Sequence, residues 1–248
     1  MIRLFLNAVL LLSFMFLSCG NNKKEIHNKP EQTERTILFS GYEWTVSGSG
    51  LSRINPGQNY FSSSEENVWV DSKGYLHLNI TKKNDKWFCS NVKLKETHGY
   101  GRYVFHVCSH VDDLDKNVVG GLFTYLNDFN EIDIEFSRWG EETDINSQFT
   151  IQPAHKKGNI FRYSMDLHSK GSTHIIDWQK DRIDFATYRG YHDKKPGKNK
   201  IISEWSYTGD DIPCENEEKV MINLWLFKGM PPSDGKESEM IIKSFFIE

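Results

Sequence analysis

The sequence lacks the marks of a nucleic-acid-binding or membrane-spanning protein. Lys and Arg number 30 against 34 Asp and Glu, for a formal net charge of -4. No concentrated basic face is visible of the kind that phosphate neutralisation needs, which excludes a nucleic-acid partner. The apolar run at residues 4–17 is too short to span a bilayer comfortably. Elsewhere, no stretch longer than about ten residues has a 3.6-residue period, so no helical fold is predicted.

Cysteine is also scarce. The chain has four, and Cys19 belongs to the N-terminal leader described below. Cys89, Cys108 and Cys214 remain, an odd number that permits one disulfide at most. If a hairpin turns at residues 98 and 99, positions 89 and 108 lie opposite each other across it. We therefore expect a Cys89–Cys108 bridge.

The N-terminus has the layout of an export signal. Arg3 supplies the positive charge, residues 4–17 the apolar stretch, and "FLSCG" a small residue before a cysteine. This resembles a bacterial lipoprotein signal, in which residues 1–18 are removed and Cys19 carries the lipid. An ordinary secretory peptide is the alternative. The first interpretation predicts a membrane partner through the lipid anchor in the bacterial cell envelope, and the second predicts secretion.

A polar segment at residues 19–36, "GNNKKEIHNKPEQTER" in its main part, has no apolar period and is expected to be a tether. One domain remains, at residues 37–248, which is long enough for a sizeable single core. We find no internal repeat in it and expect a monomer.

The sequence of this domain predicts mainly short β-strands. Runs rich in Ile, Val, Tyr, Phe and Thr alternate with turn sequences such as "SKG", "THG" and "KKPGKNK". The clearest runs are "GYLHLNITK", "YGRYVFHV", "NEIDIEF", "INSQFTI", "RIDFATY" and "KVMINLWLF". This spacing predicts an all-β fold with two antiparallel sheets packed as a sandwich.

The run "NEIDIEF" alternates acidic and apolar residues. In a strand, Glu131, Asp133 and Glu135 share one face, with neighbours about 6.6 Å apart. Retaining glycosidases need two carboxyl groups about 5 to 5.5 Å apart, and leaning Glu side chains approach that range. Like-charge coupling among three acids raises a pKa, as a general acid requires. A merely solvated acidic strand face is the alternative.

Four segments in order resemble glycoside hydrolase family 16. "NEIDIEF" resembles its E-x-D-x-E strand, and the others are "WFCSNVKLKETHGYGRYVFHV", "HIIDWQKDRIDFATYRG" and "KVMINLWLFKG". The resemblance spans residues 87–248 and is weakest at residues 190–213. It implies a concanavalin-like jelly roll with a cleft across the concave sheet. It also implies endo-acting, retaining hydrolysis of a β-linked polysaccharide.

The resemblance also implies roles for the three acids. Glu131 resembles the nucleophile, Asp133 the electrostatic assistant and Glu135 the general acid/base. No extra residue separates Asp133 from Glu135, which resembles the branch that includes mixed-linkage β-glucanases. A β-1,3/1,4-glucan-like substrate is therefore expected, and the reaction requires no cofactor. The family sometimes has a structural calcium ion on the convex face, but no residue of this sequence indicates such a site.

Aromatic side chains provide platforms for sugar rings. Trp225 matches the family's cleft tryptophan, and Gln148 resembles a polar cleft residue on the strand after the triplet. If the strand continues past Glu135, Trp139 lies on the carboxylate face and becomes a second platform. Trp178 matches a position that we expect to be buried, and we assign it to packing.

Some positions depart from the mixed-linkage pattern. Phe129 and Asn130 stand where that branch usually has Trp and Asp, while Asn91 and Lys93 occupy places where Glu and Arg are expected to grip a sugar. We assign Phe129 and Asn91 to substrate binding with altered specificity. If these changes have abolished turnover, the protein is instead a cell-surface lectin of the same fold.

One further cluster bears on metal binding. "HVCSH" puts His106, Cys108 and His110 on one strand face, and these are residue types that bind soft metals. The spacing is not a known zinc signature and the proposed chemistry needs no transition metal. We therefore predict no metal site there.

Overall fold

The computed structural model describes residues 34–168 and 171–248. The predicted signal peptide, lipidated Cys19 and the tether up to residue 33 lie outside the described residues. In the described part of the chain, no helix is long and apolar enough to cross a membrane.

Strands dominate the described residues, which contain sixteen of them and no α-helix. Their bounds are β1 Glu34–Phe39, β2 Tyr42–Ser47, β3 Tyr60–Phe61, β4 Val68–Val70, β5 Leu76–Lys83, β6 Lys86–Leu94, β7 Gly101–Val107, β8 Val118–Asn127, β9 Asn130–Phe136, β10 Ser147–Ile151, β11 Ile160–Tyr163, β12 Ser172–Trp178, β13 Ile183–Arg189, β14 Ile201–Tyr207, β15 Lys219–Leu226 and β16 Ser238–Ile247. Short 3-10 turns occur at Val111–Asp113, Lys198–Lys200 and Phe227–Gly229.

The strands form two layers. The cleft sheet has the order β1-β2-β6-β15-β8-β9-β10-β11. The back sheet has the order β4-β5-β16-β7-β12-β13-β14. Pairing is antiparallel except for β3 beside β6, and the β5–β6 hairpin joins the layers. The predicted all-β jelly-roll sandwich is confirmed.

The core lies between the two sheets. Ile132, Ile134 and Phe136 of β9 are completely buried, as the alternation predicts. The ring of Phe149 on β10 stacks on Phe185 of β13 across the layers, with centroids 4.9 Å apart. Burying one such side chain stabilises the fold by about 1.5 to 3 kcal/mol. These contacts fix β9 with its acidic face turned away from the core.

Trp178 belongs to this core. Its side chain is 1% exposed, and its indole Nε1 donates a hydrogen bond to the carbonyl oxygen of Pro213 at 3.1 Å. The prediction that Trp178 is a packing residue is confirmed.

The domain begins slightly earlier than predicted. β1 starts at Glu34, so residues 34–36 of the expected tether form part of a strand. Arg35 Nε donates to the carbonyl oxygen of Ser63 at 2.5 Å, and its Nη2 donates to that of Val68. The polar start of this strand, residues 34–36, is held by pairing with β2 and by the Arg35 side-chain bonds, whereas its core-packing residues begin at Ile37.

The expected Cys89–Cys108 disulfide is wrong, because Cys89, Cys108 and Cys214 are all free thiols. The assumed hairpin does not exist. β6, which contains Cys89, pairs with β15 and β2 in the cleft sheet. β7 ends just before Cys108 and pairs with β16 and β12 in the back sheet. The turn at residues 98 and 99 therefore crosses from one sheet to the other.

The segment with the weakest family resemblance contains a strand that the sequence did not reveal. β14 closes the edge of the back sheet beside β13. Its Trp205 stacks on Phe185 at 5.4 Å and on Phe161 at 5.8 Å between ring centroids. This aromatic stack explains why a polar, lysine-rich stretch ends in an ordered strand.

Candidate active site

The acidic triplet lies on β9, an interior strand of the cleft sheet. β9 is flanked by β8 on one side and β10 on the other. Glu131, Asp133 and Glu135 line the cleft, opposite the buried apolar residues of the same strand. The placement predicted from the alternation is confirmed. Asp133 is the most enclosed of the three, with 4% of its surface exposed.

Cross-strand register extends the triplet into rows across the cleft floor. Glu135 is paired with Gln148 on β10 and with Gly121 on β8. The same row continues to Asn223 on β15 and Asn91 on β6. A parallel row through Asp133 contains Thr150, Phe123, Met221 and Lys93.

The cleft above these rows has a volume of about 690 Å³. Its lining comes from most strands of the cleft sheet and from the loop at residues 54–56. Besides the acids, the lining includes Tyr125, Trp139, Arg162, Met221, Asn223 and Trp225. A long depression with aromatic and amide side chains suits an uncharged chain that lies across the strands.

Each acid has a defined partner. Gln148 Nε2 donates a hydrogen bond to Glu135 Oε2 at 2.7 Å. Gln152 Nε2 approaches Asp133 Oδ2 at 3.4 Å. The carboxyls of Glu131 and Asp133 are hydrogen-bonded to each other, and Asp133 is the donor. This bond raises the pKa of Asp133 and lowers that of Glu131. Asp133 is therefore the protonated member of this pair.

Burial dominates the titration of the triplet. Desolvation raises the pKa of Glu131 to about 7 and that of Glu135 to about 7. It also raises the pKa of Asp133 well above its usual range, with repulsion from both glutamates as the next causes. The bond from Gln148 and the charge of Arg162 oppose the rise at Glu135. Near neutral pH, Asp133 therefore stays protonated, while Glu131 and Glu135 both lie close to their titration midpoints.

The structure brings four of the five predicted sugar-contacting residues into the cleft lining, namely Trp225, Trp139, Gln148 and Asn91. Phe129 is not among them. It lies in the turn between β8 and β9, is 69% exposed, and its backbone N–H donates to Asn127 Oδ1 at 3.0 Å. The hairpin turns before the cleft begins, which corrects the expected position of Phe129.

Trp139 reaches the cleft by a different route from the one expected. β9 ends at Phe136, so Trp139 is not on a continuing strand. It has a positive φ of 55°, and its N–H donates to Ser137 Oγ at 2.9 Å. The turn directs the indole against Trp225, with centroids 6.1 Å apart, and Phe227 at 5.4 Å.

Several cleft residues were missed by sequence reasoning. Tyr125 alternates with Phe123 along β8, and this period of two was a usable signal. Asn223 lies in the "MINLW" run, in which only Trp225 was predicted to line the cleft. The buried Oδ1 atoms of Asn91 and Asn223 have no hydrogen-bond partner. Unpaired buried acceptors are uncommon and are suited to a ligand hydroxyl.

The histidine and cysteine cluster is dispersed. β7 ends at Val107, so alternation does not extend to His110. His106 is 6% exposed, and its Nδ1 hydrogen-bonds Ser244 Oγ at 2.9 Å. His110 lies 3.4 Å from Asp112. Within residues 34–168 and 171–248, no group of three or more His, Cys, Asp or Glu is arranged to hold a metal ion.

No protein-family model and no curated protein matches the chain. Solved structures do resemble it. A prokaryotic β-1,3-1,4-glucanase (lichenase) from a mouse hindgut metagenome is 19% identical, with a TM-score of 0.61 over 87% of this chain and 99% of that chain. A glycosyl hydrolase family 16 protein from Mycobacterium smegmatis is 17% identical, with a TM-score of 0.61 over 85% and 94%.

A third similar structure is an immunostimulatory antigen and pseudo β-1,3-glucanase of Mycobacterium tuberculosis. It is 18% identical to this chain, with a TM-score of 0.60 over 83% of this chain and 91% of that chain. At these identities the likeness establishes the β-glucanase fold. These neighbours include a glucanase and a pseudo-glucanase, so the fold alone does not decide whether this protein cleaves a glycosidic bond.

Proposed function

We propose that this protein is an endo-acting, retaining glycosidase that hydrolyses a β-linked polysaccharide, a β-1,3/1,4-glucan-like chain. The observation that carries the proposal is the acidic triplet on the floor of an open cleft, with two glutamates whose pKa values are raised to about 7. A solvated acidic strand face would leave its carboxyls exposed and ionised. Burial of three acids costs stability, and catalysis accounts for it.

The reaction takes two displacements. In the first, a carboxylate oxygen of Glu131 attacks the anomeric carbon, the glycosidic C–O bond breaks, and Glu135 gives its proton to the departing oxygen. In the second, a water molecule attacks the same carbon and gives a proton back to Glu135, which releases Glu131. Asp133 keeps its proton and its hydrogen bond to Glu131, which favours the ionised nucleophile.

Sugar binding is assigned to the aromatic and amide residues beside the triplet. Trp225 lines the cleft with 8% of its surface exposed, which suits it to contact the C–H face of a pyranose ring. Asn91 and Asn223 offer unpaired acceptor oxygens to sugar hydroxyls. These groups carry no charge, in keeping with a neutral polymer.

A non-catalytic glycan-binding lectin is the second candidate. Asn91 and Lys93 stand in the cleft sheet where the resembled family has a charged grip on the sugar, and one structural neighbour is a pseudo-glucanase. A lectin retains the cleft and its affinity for glycans without bond cleavage.

A panel of β-glucans and algal galactans separates the two candidates. Each polysaccharide is assayed for new reducing ends and for retardation of the protein in affinity gels. Release of reducing ends by the wild type, lost in Glu131→Gln, supports the glycosidase. Retardation without new ends identifies the lectin. Hydrolysis by Glu131→Gln as fast as by the wild type overturns the proposed mechanism.

We also propose that the protein is a monomer anchored to the cell envelope through lipidated Cys19, with secretion as the alternative. Labelling with a radioactive fatty acid in a bacterial host tests this. The wild type is expected to carry the label and Cys19→Ser to lose it. Since both displacements use carboxylates alone, EDTA is expected to leave the hydrolysis rate unchanged, whereas a fall in melting temperature would reveal a structural calcium ion.

A further inference from the structure

A chain of hydrogen bonds leads from the turn after β9 back to the triplet. The indole Nε1 of Trp139 donates to Gln148 Oε1 at 3.0 Å. Gln148 Nε2 donates to Glu135 Oε2 at 2.7 Å and to Thr150 Oγ1 at 2.9 Å. Every polar atom of the Gln148 amide therefore has a partner.

The indole determines which way this amide faces. An amide has one accepting and one donating end, and an indole N–H is only a donor. With the observed orientation, the accepting end meets Trp139 and the donating end meets Glu135. Rotation of the amide by 180° would set two donors against each other at Trp139 and place the amide oxygen against the Glu135 carboxylate. Only one orientation is compatible with both neighbours.

The backbone holds Trp139 in this position at some cost. A positive φ is uncommon for a large side chain, and such strain gathers at functional sites. The following residue, Gly140, donates its N–H to the carbonyl oxygen of Lys116 at 2.8 Å, and the indole packs edge-to-face on Trp225 and Phe227. The indole N–H is therefore committed to Gln148 and is not available as a sugar donor.

We propose that Trp139 is a positioning residue, which acts through Gln148 to orient and tune the proton-donating carboxyl of Glu135. The inference rests on the proposed function, because it assigns Trp139 a part in the acid/base step. It differs from the role of sugar platform expected from the sequence.

The charged groups around Glu135 define the expected direction. On its own strand it faces Asp133 and Glu131, and on β11 it faces Arg162. β10 and β8 present neutral Gln148 and Gly121 at its level, the Thr150 hydroxyl one row away also bonds its carboxyl, and β15 presents Asn223 beyond Gly121. The bond from Gln148 stabilises the carboxylate and lowers the pKa of Glu135. Loss of that bond raises this pKa.

The test variant is Trp139→Phe, which removes the N–H and keeps an aromatic ring. The carboxyl signals of ¹³C-labelled glutamate are titrated by NMR in the wild type and in the variant, with Glu135→Gln used to assign the signal. We expect the pKa of Glu135 to rise by about one unit in Trp139→Phe. The alkaline limb of the pH–rate profile should move upward equally, with kcat about tenfold lower and KM changed less than twofold.

Trp69→Phe is the matched control, because this indole lies on β4 of the back sheet, stacks on His77 and makes no contact with Trp139 or Gln148. It should leave the Glu135 titration and the pH–rate profile unchanged. If Trp139→Phe fails to fold, benzothienylalanine at position 139 replaces the N–H by sulfur and keeps the bicyclic ring. An unchanged Glu135 titration in a folded Trp139 variant overturns the inference.

The two readouts separate this inference from the proposed function. The NMR titration needs no turnover, so a shifted Glu135 signal in a protein that cleaves nothing on the panel would reject the glycosidase and keep the positioning contact. Hydrolysis with the same pH profile in wild type and Trp139→Phe would keep the glycosidase and reject the positioning role.

Discussion

Two buried polar clusters in this protein are built in opposite ways. Inside the sandwich, His174 of the back sheet is completely buried. Its Nε2 lies 2.8 Å from Ser172 Oγ and its Nδ1 lies 3.1 Å from Thr187 Oγ1. Burial lowers the pKa of His174 to about 3, so the ring is neutral and both nitrogens are satisfied.

The acidic triplet in the cleft is built in the opposite way to the His174 cluster. Three acids share one strand face, their pKa values are raised, and the nearby Asn91 and Asn223 keep unpaired acceptors. A satisfied buried network stabilises a fold, whereas an unsatisfied one is retained for a ligand. Unpaired buried atoms also occur away from the cleft, as at Asn79 Oδ1 and Glu218 Oε1, so the functional cluster is distinguished by the combination of unpaired acceptors with buried acids.

Glu135→Gln should produce the largest effect of this comparison. Without a proton donor, hydrolysis of the polysaccharide is expected to fall by about 10² to 10⁴-fold. An aryl glycoside with an acidic leaving group needs little protonation, so its first displacement should be affected much less. Steady-state kinetics on both substrates measures this. Equal losses on both would contradict the role of Glu135 as the general acid.

His174→Ala should act on stability instead. It leaves the Ser172 hydroxyl without its partner, takes one of two partners from Thr187, whose hydroxyl keeps its bond to Tyr163, and opens a cavity beside Phe136, whose ring lies 4.7 Å from His174. The free energy of unfolding should drop by about 3 kcal/mol, measured by urea denaturation. The activity of the folded fraction should be retained.

The matched control is His155→Ala at an exposed position, which should change the free energy of unfolding by less than about 0.5 kcal/mol. If His174→Ala were as stable as this control, the satisfied cluster would have no stabilising role.

The functional cluster was more accessible to sequence reasoning than the structural one. Alternation alone placed Glu131, Asp133 and Glu135 on one face, because a strand has a side-chain period of two. His174 gave no comparable signal, since its partners Ser172 and Thr187 are ordinary strand residues until the pairing of β12 with β13 joins them.

Errors arose where sheet-to-sheet connections or turns decide the geometry. The disulfide prediction assumed a hairpin where the chain crosses between sheets, and Trp139 was placed on a strand that ends at Phe136. Phe129 fell in a turn. Such features depend on long-range packing and on left-handed backbone, neither of which leaves a periodic pattern in the chain.

The two clusters should give stability opposite dependences on pH. The folded pKa values of Glu131 and Glu135 lie near 7, above their ordinary value of 4.5. Their stabilising contribution is full below about pH 4.5 and is lost as the pH rises through 7. His174, with its lowered pKa, contributes above about pH 6.5 and loses this as the pH falls towards 3.

Urea denaturation at several pH values measures both effects. Between pH 5 and 8, Glu135→Gln should gain about 2 to 3 kcal/mol relative to the wild type. His174→Ala should come closer to the wild type as the pH falls below 6. If the difference in unfolding free energy between Glu135→Gln and the wild type stayed constant across this range, ionisation of Glu135 would not destabilise the folded protein.

The adjacent glycines of β8 offer the finest test, because they face the two regions being compared. A Cβ at Gly121 would lie 2.5 Å from Asn223 Oδ1 in the cleft row, whereas one at Gly120 would lie 3.0 Å from Met240 Sδ and 3.2 Å from Phe136 in the core. Gly121→Ala should displace the Asn223 amide and lower kcat/KM by about tenfold with little loss of stability. Gly120→Ala should lower the free energy of unfolding by about 1 to 2 kcal/mol and keep the activity. Both variants are compared by kcat/KM and by the urea midpoint of unfolding. If Gly121→Ala lost stability and Gly120→Ala lost activity, the cleft face and the core face of β8 would not have separate roles in function and packing.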